Sequence, residues 1–105
     1  MNFPISATLL DALVLAVVNT EDTYGYKITQ EIRNVVVISE STLYPVLRRL
    51  LSDSCLETYD EEYMGRNRRY YRITNKGKSM LKLYFEEWAL YKARVDRYLG
   101  VEKVG

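Results

Sequence analysis

The sequence predicts a mainly α-helical domain that carries one small β-hairpin, and three observations lead to this prediction. Apolar residues recur at the spacing of a helix face in three separate stretches before residue 52. Two extended runs between residues 56 and 73 flank a turn that contains glycine and asparagine, as expected of a hairpin. Thr74 then suits the N-cap of the last helix, which can be long because no proline follows.

Size and composition fit a single compact domain. The chain has 105 residues, of which 48% are hydrophobic and 28% are charged. It has one cysteine and no histidine, which excludes an internal disulfide and a zinc site of the Cys/His type. The longest apolar run, residues 12–18, is far shorter than the roughly 20 residues that span a bilayer. We expect a cytoplasmic protein without a membrane segment or a cofactor.

Charge is distributed unevenly along the chain, although the net charge is only +1. Acidic residues at positions 60–62 precede a basic stretch without any acid, which contains Arg66, Arg68, Arg69, Arg72, Lys76, Lys78 and Lys82. A polyanion would therefore bind through this stretch rather than through the overall charge. We interpret the acidic residues as a neighbouring strand that offsets the arginines. With no histidine, glycine-rich phosphate loop or nucleophile paired with a base, the chain is not expected to be an enzyme.

The first two helices and the segment after them are predicted from caps and apolar runs. Ser6 suits the N-cap of a first helix that has almost no polar side and should be buried. Asp22 or Thr23 suits the N-cap of a second helix, which presents Lys27 on its polar side. The β-branched run at residues 35–38 predicts a short strand.

Residues 39–51 predict a third helix with two different faces. One face is an apolar stripe that needs a core, formed by Leu43, Val46, Leu47, Leu50 and Leu51. The opposite face carries hydroxyls, a phenol and guanidiniums, which suit phosphates and base edges, although it also fits an ordinary solvated surface. Either Ser39 or Thr42 can be the N-cap. Pro45 lies in the first turn if Thr42 is the cap and distorts the helix if Ser39 is.

The hairpin is predicted to consist of residues 56–63 and 68–73, joined by a turn at residues 64–67. Successive side chains of a strand point to opposite faces of the sheet. Tyr71 and Ile73 therefore share one face, which we expect to pack, and Tyr70 and Arg72 share the other.

A heptad pattern runs along the last helix. Its positions step by three and four residues through Leu81, Tyr84, Trp88, Tyr91, Val95 and Tyr98. Phe85 and Leu99 widen this apolar stripe. A helix of about 25 residues is roughly 37 Å long and cannot bury such a stripe on so small a body. We expect it to pair with its copy in a homodimer.

The predicted order of helix, helix, short strand, helix and hairpin is that of a winged helix-turn-helix. Three segments make the match closer: YGYKI at residues 24–28, TLYPVLRRL at residues 42–50 and GRNRRYYRITNKGK at residues 65–78. Together they resemble the signature segments of the PadR family of bacterial transcriptional regulators. The resemblance covers essentially the whole chain, and the single helix after the hairpin is similar to the smaller of the family's two subgroups.

The resemblance implies a homodimer that binds double-stranded DNA, with a recognition helix in each major groove and a wing along the backbone. It assigns residues 1–74 to DNA binding and residues 75–105 to dimerisation. The expected DNA contacts are Lys27, Ser41, Thr42, Tyr44, Arg48, Arg49, Arg66, Arg68 and Arg69. Two recognition helices held about 34 Å apart would meet successive major grooves of a near-palindromic operator. We expect the protein to be a repressor.

Multidrug-sensing members of the family hold flat aromatic compounds between two protomers, against an aromatic residue of the last helix. Residues 85–88 resemble that place, which implies a small hydrophobic or aromatic effector. The expected effector and dimer residues are Leu81, Tyr84, Phe85, Trp88, Tyr91, Val95 and Tyr98. An aromatic seam also buries well without a ligand, so a plain interface is the alternative for Trp88.

Two other functions fit parts of the pattern. A winged-helix adaptor would bind a protein through the long helix without binding DNA, but it would not need four arginines in the wing. A ligand carrier would use the aromatic seam to enclose a small molecule. We interpret Cys55 as a small residue that closes the core, with a redox sensor as the alternative.

Overall fold

The computed structural model describes residues 6–100, which form four helices and one two-stranded antiparallel sheet. In chain order the elements are α1 Ala7–Thr20, α2 Gly25–Ile32, α3 Glu40–Ser52, β1 Leu56–Tyr63, β2 Arg66–Ile73 and α4 Asn75–Leu99. The first three helices and the base of the hairpin share one hydrophobic core, and the first half of α4 packs against it. The prediction of a mainly helical winged-helix fold with a long last helix is confirmed. None of the helices between residues 6 and 100 is long and apolar enough to cross a membrane.

The start of α1 agrees with its predicted cap. The Ser6 Oγ accepts a hydrogen bond from the amide of Leu9 at 3.1 Å. Val14 and Leu15 are fully buried, but Ala16 is exposed. The expectation that this helix is buried therefore holds for one face only, because its neighbours cover only part of its circumference.

The N-cap predicted for α2 is wrong. The cap residue is Tyr24 rather than Asp22 or Thr23, and its side chain makes no capping hydrogen bond. The Thr23 amide instead donates to the Tyr71 carbonyl at 3.3 Å, and the Tyr71 amide donates back to Thr23 at 2.7 Å. Thr23 thus lies beside β2 and forms an isolated antiparallel β-bridge with Tyr71 at the edge of the sheet.

The short strand predicted at residues 35–38 is not present. The amides of Val35 and Val36 both donate to the carbonyl of Ile32, so this stretch turns out of α2. Val37 is exposed, whereas Ile38 is buried in the core. A β-branched run forms a strand only where it can pair with a neighbouring strand. The edge of β2 that β1 does not occupy is already paired with Thr23.

The structure resolves where α3 begins. Ser39 is the N-cap, and its Oγ accepts from the amide of Thr42 at 3.3 Å. Pro45 therefore lies inside the helix, where it cannot donate to the Ser41 carbonyl. The apolar stripe faces the core as predicted, with four of its members buried: Leu43, Val46, Leu47 and Leu50.

The hairpin is longer and its turn tighter than predicted. Tyr63 pairs with Arg66, which leaves only Met64 and Gly65 in the turn. Both turn residues have positive φ, 51° and 79°, as a type I′ turn requires. Residues 66 and 67 consequently belong to β2 and not to the turn. Tyr71 is buried on the inner face, as expected.

The junction between the hairpin and α4 depends on one glycine. The Oγ1 of Thr74, the predicted N-cap, accepts from the amide of Gly77 at 3.0 Å. A Cβ at Gly77 would overlap the carbonyl oxygen of Cys55 and lie 2.7 Å from Cγ1 of Ile73. Gly77 therefore allows α4 to approach the base of the hairpin closely. The helix ends at Gly100, which has the left-handed φ of 63°.

Candidate nucleic-acid interface

The outward face of α3 carries a set of exposed polar side chains. Ser41, Thr42, Tyr44 and Arg48 are all exposed, whereas the apolar residues between them are buried. The Oγ of Ser39 lies 3.0 Å from the Oγ of Ser41 and 3.1 Å from the Oγ1 of Thr42, so three hydroxyls are grouped at the start of the helix. These groups donate and accept hydrogen bonds, as base edges and phosphates require.

The two adjacent arginines of α3 have different environments. The Arg49 guanidinium makes two hydrogen bonds with the Asp11 carboxylate, at 2.7 and 2.8 Å. These bonds raise the pKa of Arg49 above its ordinary value. Arg48 is exposed and forms no ion pair among residues 6–100. Of the two, Arg48 is the side chain that is free to bind an external anion.

The three wing arginines also differ from one another. Arg66, next to the turn, is exposed and has no ion pair within the described part of the chain. Arg69 lies 3.6 Å from the carboxylate of Asp60, and both side chains are more than half exposed. Arg68 is half-buried, with its guanidinium 4.0 Å from the ring centre of Tyr24 and 3.9 Å from that of Tyr63. Arg66 and Arg69 are thus more accessible to a phosphate than Arg68.

The acidic residues before the basic stretch lie where the sequence predicted. Asp60 pairs with Arg69 and Glu61 with Arg68 across the two strands. Because the pairs alternate between the two faces, Asp60 and Arg69 share the inner face of the hairpin. The carboxylates therefore offset part of the wing's positive charge.

Tyr71 is a buried residue of β2 that belongs to the hydrophobic core. Burial raises the pKa of Tyr71, while the positive charges of Arg69 and Arg48 act on the phenol in the opposite direction. Lys27 is exposed on α2. The start of this helix lies close to α3, as shown by Gly25, on which a Cβ would be 3.6 Å from the Tyr44 ring.

The outer face of the hairpin holds a cluster of three tyrosines. The rings of Tyr59 and Tyr70 stack at 5.6 Å, and Tyr24 meets Tyr70 edge-on at 5.8 Å. The hydroxyl of Tyr59 donates to the carboxylate of Asp22 at 2.7 Å. This hydrogen bond is the main cause that raises the pKa of Tyr59 to about 12.

A second feature is a groove of about 870 Å³ between α1 and α4. Its walls are formed by the N-cap residue Ser6, by Thr8, Leu9 and Ala12 of α1, and by Tyr84, Glu87, Trp88, Tyr91, Lys92, Val95, Asp96 and Leu99 of α4. The rings of Trp88 and Tyr91 lie 6.4 Å apart and are tilted by 43°. Along one rim, Lys92 forms an ion pair with Asp96 at 3.1 Å. The groove has the size of a small-molecule site.

The predicted heptad residues fall into three groups. Leu81 and Tyr84 are half-buried against the core of their own chain. Trp88, Tyr91 and Val95 line the groove, to which Tyr84 also contributes. Phe85 and Tyr98 lie outside the groove lining and are 67% and 85% exposed. The second half of α4 thus presents apolar surface that nothing within residues 6–100 covers.

Three residues that shape the site were not identified from the sequence. Asp11 forms an ion pair with Arg49, and Tyr24 makes a cation–π contact with Arg68. Asp22 accepts a hydrogen bond from Tyr59. Asp11 was detectable in principle, because it is an isolated acid within an apolar helix, and such a buried charge needs a partner. Cys55, in contrast, is buried in the core, as its favoured interpretation requires.

Comparisons with known proteins agree with this geometry. An uncharacterised protein of Lysinibacillus sphaericus is 39% identical over 99 residues, which cover 89% of this chain and 91% of that protein. A crystal structure of a Streptococcus mutans protein is 42% identical with a TM-score of 0.90, covering 96% of this chain and 95% of that one. A PadR family transcription regulator of Clostridium difficile is 31% identical with a TM-score of 0.80, covering 87% and 98% respectively.

The family model of the PadR-like transcriptional regulators matches residues 14–83, which is more than half of the chain. The match includes α2, α3 and the whole hairpin, where the exposed polar face and the wing arginines lie. Proteins of this family are transcriptional regulators and not enzymes. The chain belongs to the PadR-like family of transcriptional regulators.

Proposed function

We propose that the chain is a homodimeric repressor that binds double-stranded DNA and responds to a small aromatic effector. The observation that carries the DNA-binding part is the exposed face of α3. Arg48 and the grouped hydroxyls of Ser41 and Thr42 point outward, while the opposite stripe of the same helix fills the core. Because the core holds this helix firmly, its outward side chains are presented in a fixed arrangement to a major groove.

Each candidate residue has a role that follows from its environment. Ser41, Thr42 and Tyr44 contact base edges, since they are exposed at the first turns of α3. Arg48, Arg66, Arg69 and Lys27 contact phosphates, since they are exposed cations on α3, on the wing and on α2. Arg49 connects α3 to α1 through its ion pair with Asp11. Its contribution to DNA binding is mainly the positive charge that it adds near the phosphates.

Dimerisation would follow from the uncovered half of α4. Trp88, Tyr91, Tyr98 and Leu99 are all more than 40% exposed, a large apolar surface for one helix. A second copy would cover these side chains and place two α3 helices on successive major grooves of a near-palindromic operator. In this arrangement residues 1–74 bind DNA and residues 75–105 hold the dimer together.

The effector site would be the groove between α1 and α4. Its lining is mainly apolar and includes two neighbouring aromatic rings, which suit a planar aromatic molecule. The same helix forms the groove and the proposed dimer surface. A molecule that enters the groove would therefore change how two copies pack and how far apart their α3 helices lie.

The DNA-binding proposal is tested by measuring the affinity for a fluorescent mixed-sequence duplex across a range of salt concentrations. Arg48→Ala and Arg66→Ala should each weaken binding and reduce the salt slope by about one unit, because each loses one phosphate contact. Arg97→Ala is the matched control, since Arg97 is a basic residue in the last turn of α4. Unchanged affinity and slope for both test variants would contradict DNA binding through this surface.

Dimerisation is tested by sedimentation of the full chain, whose monomer mass is 12.3 kDa. We expect the wild type to sediment at twice that mass and Trp88→Arg to shift toward the monomer, because a charge would enter an apolar contact. A monomeric wild type at micromolar concentration would contradict the proposed assembly.

The effector proposal is tested by the fluorescence of Trp88, the only tryptophan of the chain. Planar aromatic compounds, both cationic and neutral, should quench it at saturating concentration and alter the affinity for DNA. Tyr91→Ala should weaken this quenching, whereas Phe85→Ala should not, because Phe85 lies outside the groove lining. No quenching across such a panel would remove the effector from the proposal.

A further inference from the structure

We propose that residues 22–24, here named the docking segment, fix the orientation of the wing, and that Arg68 is a positioning residue rather than a phosphate ligand. This inference rests on the proposed DNA-binding function and deepens it. It changes the role of one residue that the basic stretch alone would assign to the DNA backbone.

The backbone of the docking segment is attached to the wing. Thr23 and Tyr71 exchange two hydrogen bonds, of 3.3 and 2.7 Å, in the manner of an antiparallel strand pair. Tyr71 is also buried in the core, so this attachment lies at the base of the hairpin. It fixes where the wing starts but leaves the more distant half of the hairpin to be held by side chains.

The side chains of the docking segment reach both strands of the wing. Asp22 accepts a hydrogen bond from Tyr59 of β1 at 2.7 Å. Tyr24 meets Tyr70 of β2 edge-on, and Tyr70 in turn stacks on Tyr59. The two strands are therefore connected to the same three-residue segment through different residues, Asp22 for β1 and Tyr24 for β2.

Arg68 extends this connection toward the wing tip. Its guanidinium lies between the rings of Tyr24 and Tyr63, at 4.0 and 3.9 Å from their centres. Tyr63 pairs with Arg66 at the last position before the turn. A planar cation held between two rings is attracted by both π faces. Arg68 thereby joins the docking segment to the last residue of β1, next to the exposed Arg66.

The docking segment also lies directly before α2. Gly25 follows Tyr24 and is the first residue of that helix, and it approaches the ring of Tyr44 on α3. The same short segment thus contacts the wing through its side chains and continues into the helix that packs on α3. The position of the wing arginines relative to the outward face of α3 depends on these contacts.

The test compares DNA affinity and salt slope for Tyr24→Leu, Arg68→Ala and the double variant, on a mixed-sequence duplex. Each single change should weaken binding by about five- to tenfold, the value of one partly desolvated cation–π contact. The salt slope should change by the same amount in Tyr24→Leu and in Arg68→Ala, because both displace the same wing arginines, whereas a phosphate contact made by Arg68 itself would be lost in Arg68→Ala alone. The double variant should bind less weakly than the two single effects combined would predict, since both changes break the contact between Tyr24 and Arg68.

Two conservative variants separate positioning from simple charge. Tyr24→Phe keeps the ring and should bind DNA as the wild type does. Arg68→Lys keeps the charge but loses the flat guanidinium, so it should not restore the affinity. Thermal unfolding of every variant shows whether the chain is folded at the assay temperature. A role in stability alone would change the unfolding midpoint while leaving affinity unchanged, and that result would overturn the proposal.

The outcomes also separate this inference from the proposed function. If Arg68→Ala lowers the salt slope by about one unit more than Tyr24→Leu does, and Arg68→Lys restores binding, Arg68 is a phosphate ligand and the inference is wrong. If Tyr24→Leu binds like the wild type, the docking segment does not position the wing. If Arg48→Ala and Arg66→Ala also leave binding unchanged, DNA binding through this surface fails altogether.

Discussion

Asp11 of α1 and Arg49 of α3 form a bidentate ion pair, with nitrogen to oxygen distances of 2.7 and 2.8 Å. The Asp11 side chain is only 11% exposed, whereas that of Arg49 is 45% exposed. Ala12, the residue after Asp11, lines the groove between α1 and α4. The pair therefore connects the groove-forming helix α1 directly with the helix that carries the candidate DNA contacts.

Removing Asp11 should destabilise the fold. Asp11→Ala leaves Arg49 without its partner, and we expect a loss of about 1 to 3 kcal/mol, between the values for exposed and buried ion pairs. Chemical denaturation measures this loss. Asp96→Ala is the control, because it removes an exposed pair with Lys92 and should cost less than about 0.5 kcal/mol. Equal effects of the two changes would contradict a structural role for the Asp11–Arg49 pair.

The wing turn should become more stable when Met64 is replaced by asparagine. Met64 adopts a φ of 51°, which non-glycine residues rarely occupy and which asparagine tolerates better. Met64→Asn should raise the free energy of unfolding by about 0.5 to 1 kcal/mol. Gly65→Ala should lower it, because the φ of Gly65 is 79°. A decrease for Met64→Asn in thermal unfolding would contradict the type I′ geometry.

Gly77 should not tolerate a side chain. Its Cβ would overlap the Cys55 carbonyl oxygen and crowd Ile73, and a backbone carbonyl moves less easily than a side chain end. Gly77→Ala should therefore destabilise the chain by about 1 to 3 kcal/mol, although alanine favours helices elsewhere. Ser79→Ala is a control at an exposed position of the same helix and should be nearly neutral. A stabilised Gly77→Ala variant would show that α4 does not approach the hairpin this closely.

The hydrogen bond between Tyr59 and Asp22 should make stability depend on alkaline pH. It raises the pKa of Tyr59 from about 10 to about 12, so it favours the protonated phenol in the folded state. Its contribution is fully present below pH 10 and is lost as the pH rises from about 10 to about 12. Denaturation of the wild type and of Tyr59→Phe isolates this contribution, because the other tyrosines are common to both. A difference between the two that stays constant over this range would contradict the hydrogen bond.

Features that depend on neighbours in sequence were predictable. The caps at Ser6 and Thr74 and the apolar stripe of α3 involve residues three or four positions apart, so the local pattern contains them. The run at residues 35–38 was misinterpreted, because β-branched composition does not reveal which edge of the sheet is already occupied by Thr23.

The distribution of roles within the site was less predictable. Arg48 and Arg49 are identical and adjacent, and only the structure shows that Asp11, 38 positions away from Arg49, pairs with one of them. Arg68 likewise differs from the other two wing arginines through its contact with Tyr24, which follows α1 and lies far from β2 in sequence. Long-range contacts such as these depend on the fold and leave no local periodic signal.

The most direct test of the central proposal is selection of duplexes from a randomised library by the 105-residue chain. A two-fold dimer that reads DNA through α3 should enrich sequences with two inverted half-sites, whose centres lie about 10 or about 20 base pairs apart. Arg48→Ala should enrich them poorly or not at all. Failure of the wild type to enrich any sequence, or enrichment of a single asymmetric site, would contradict a dimer that binds DNA in this way.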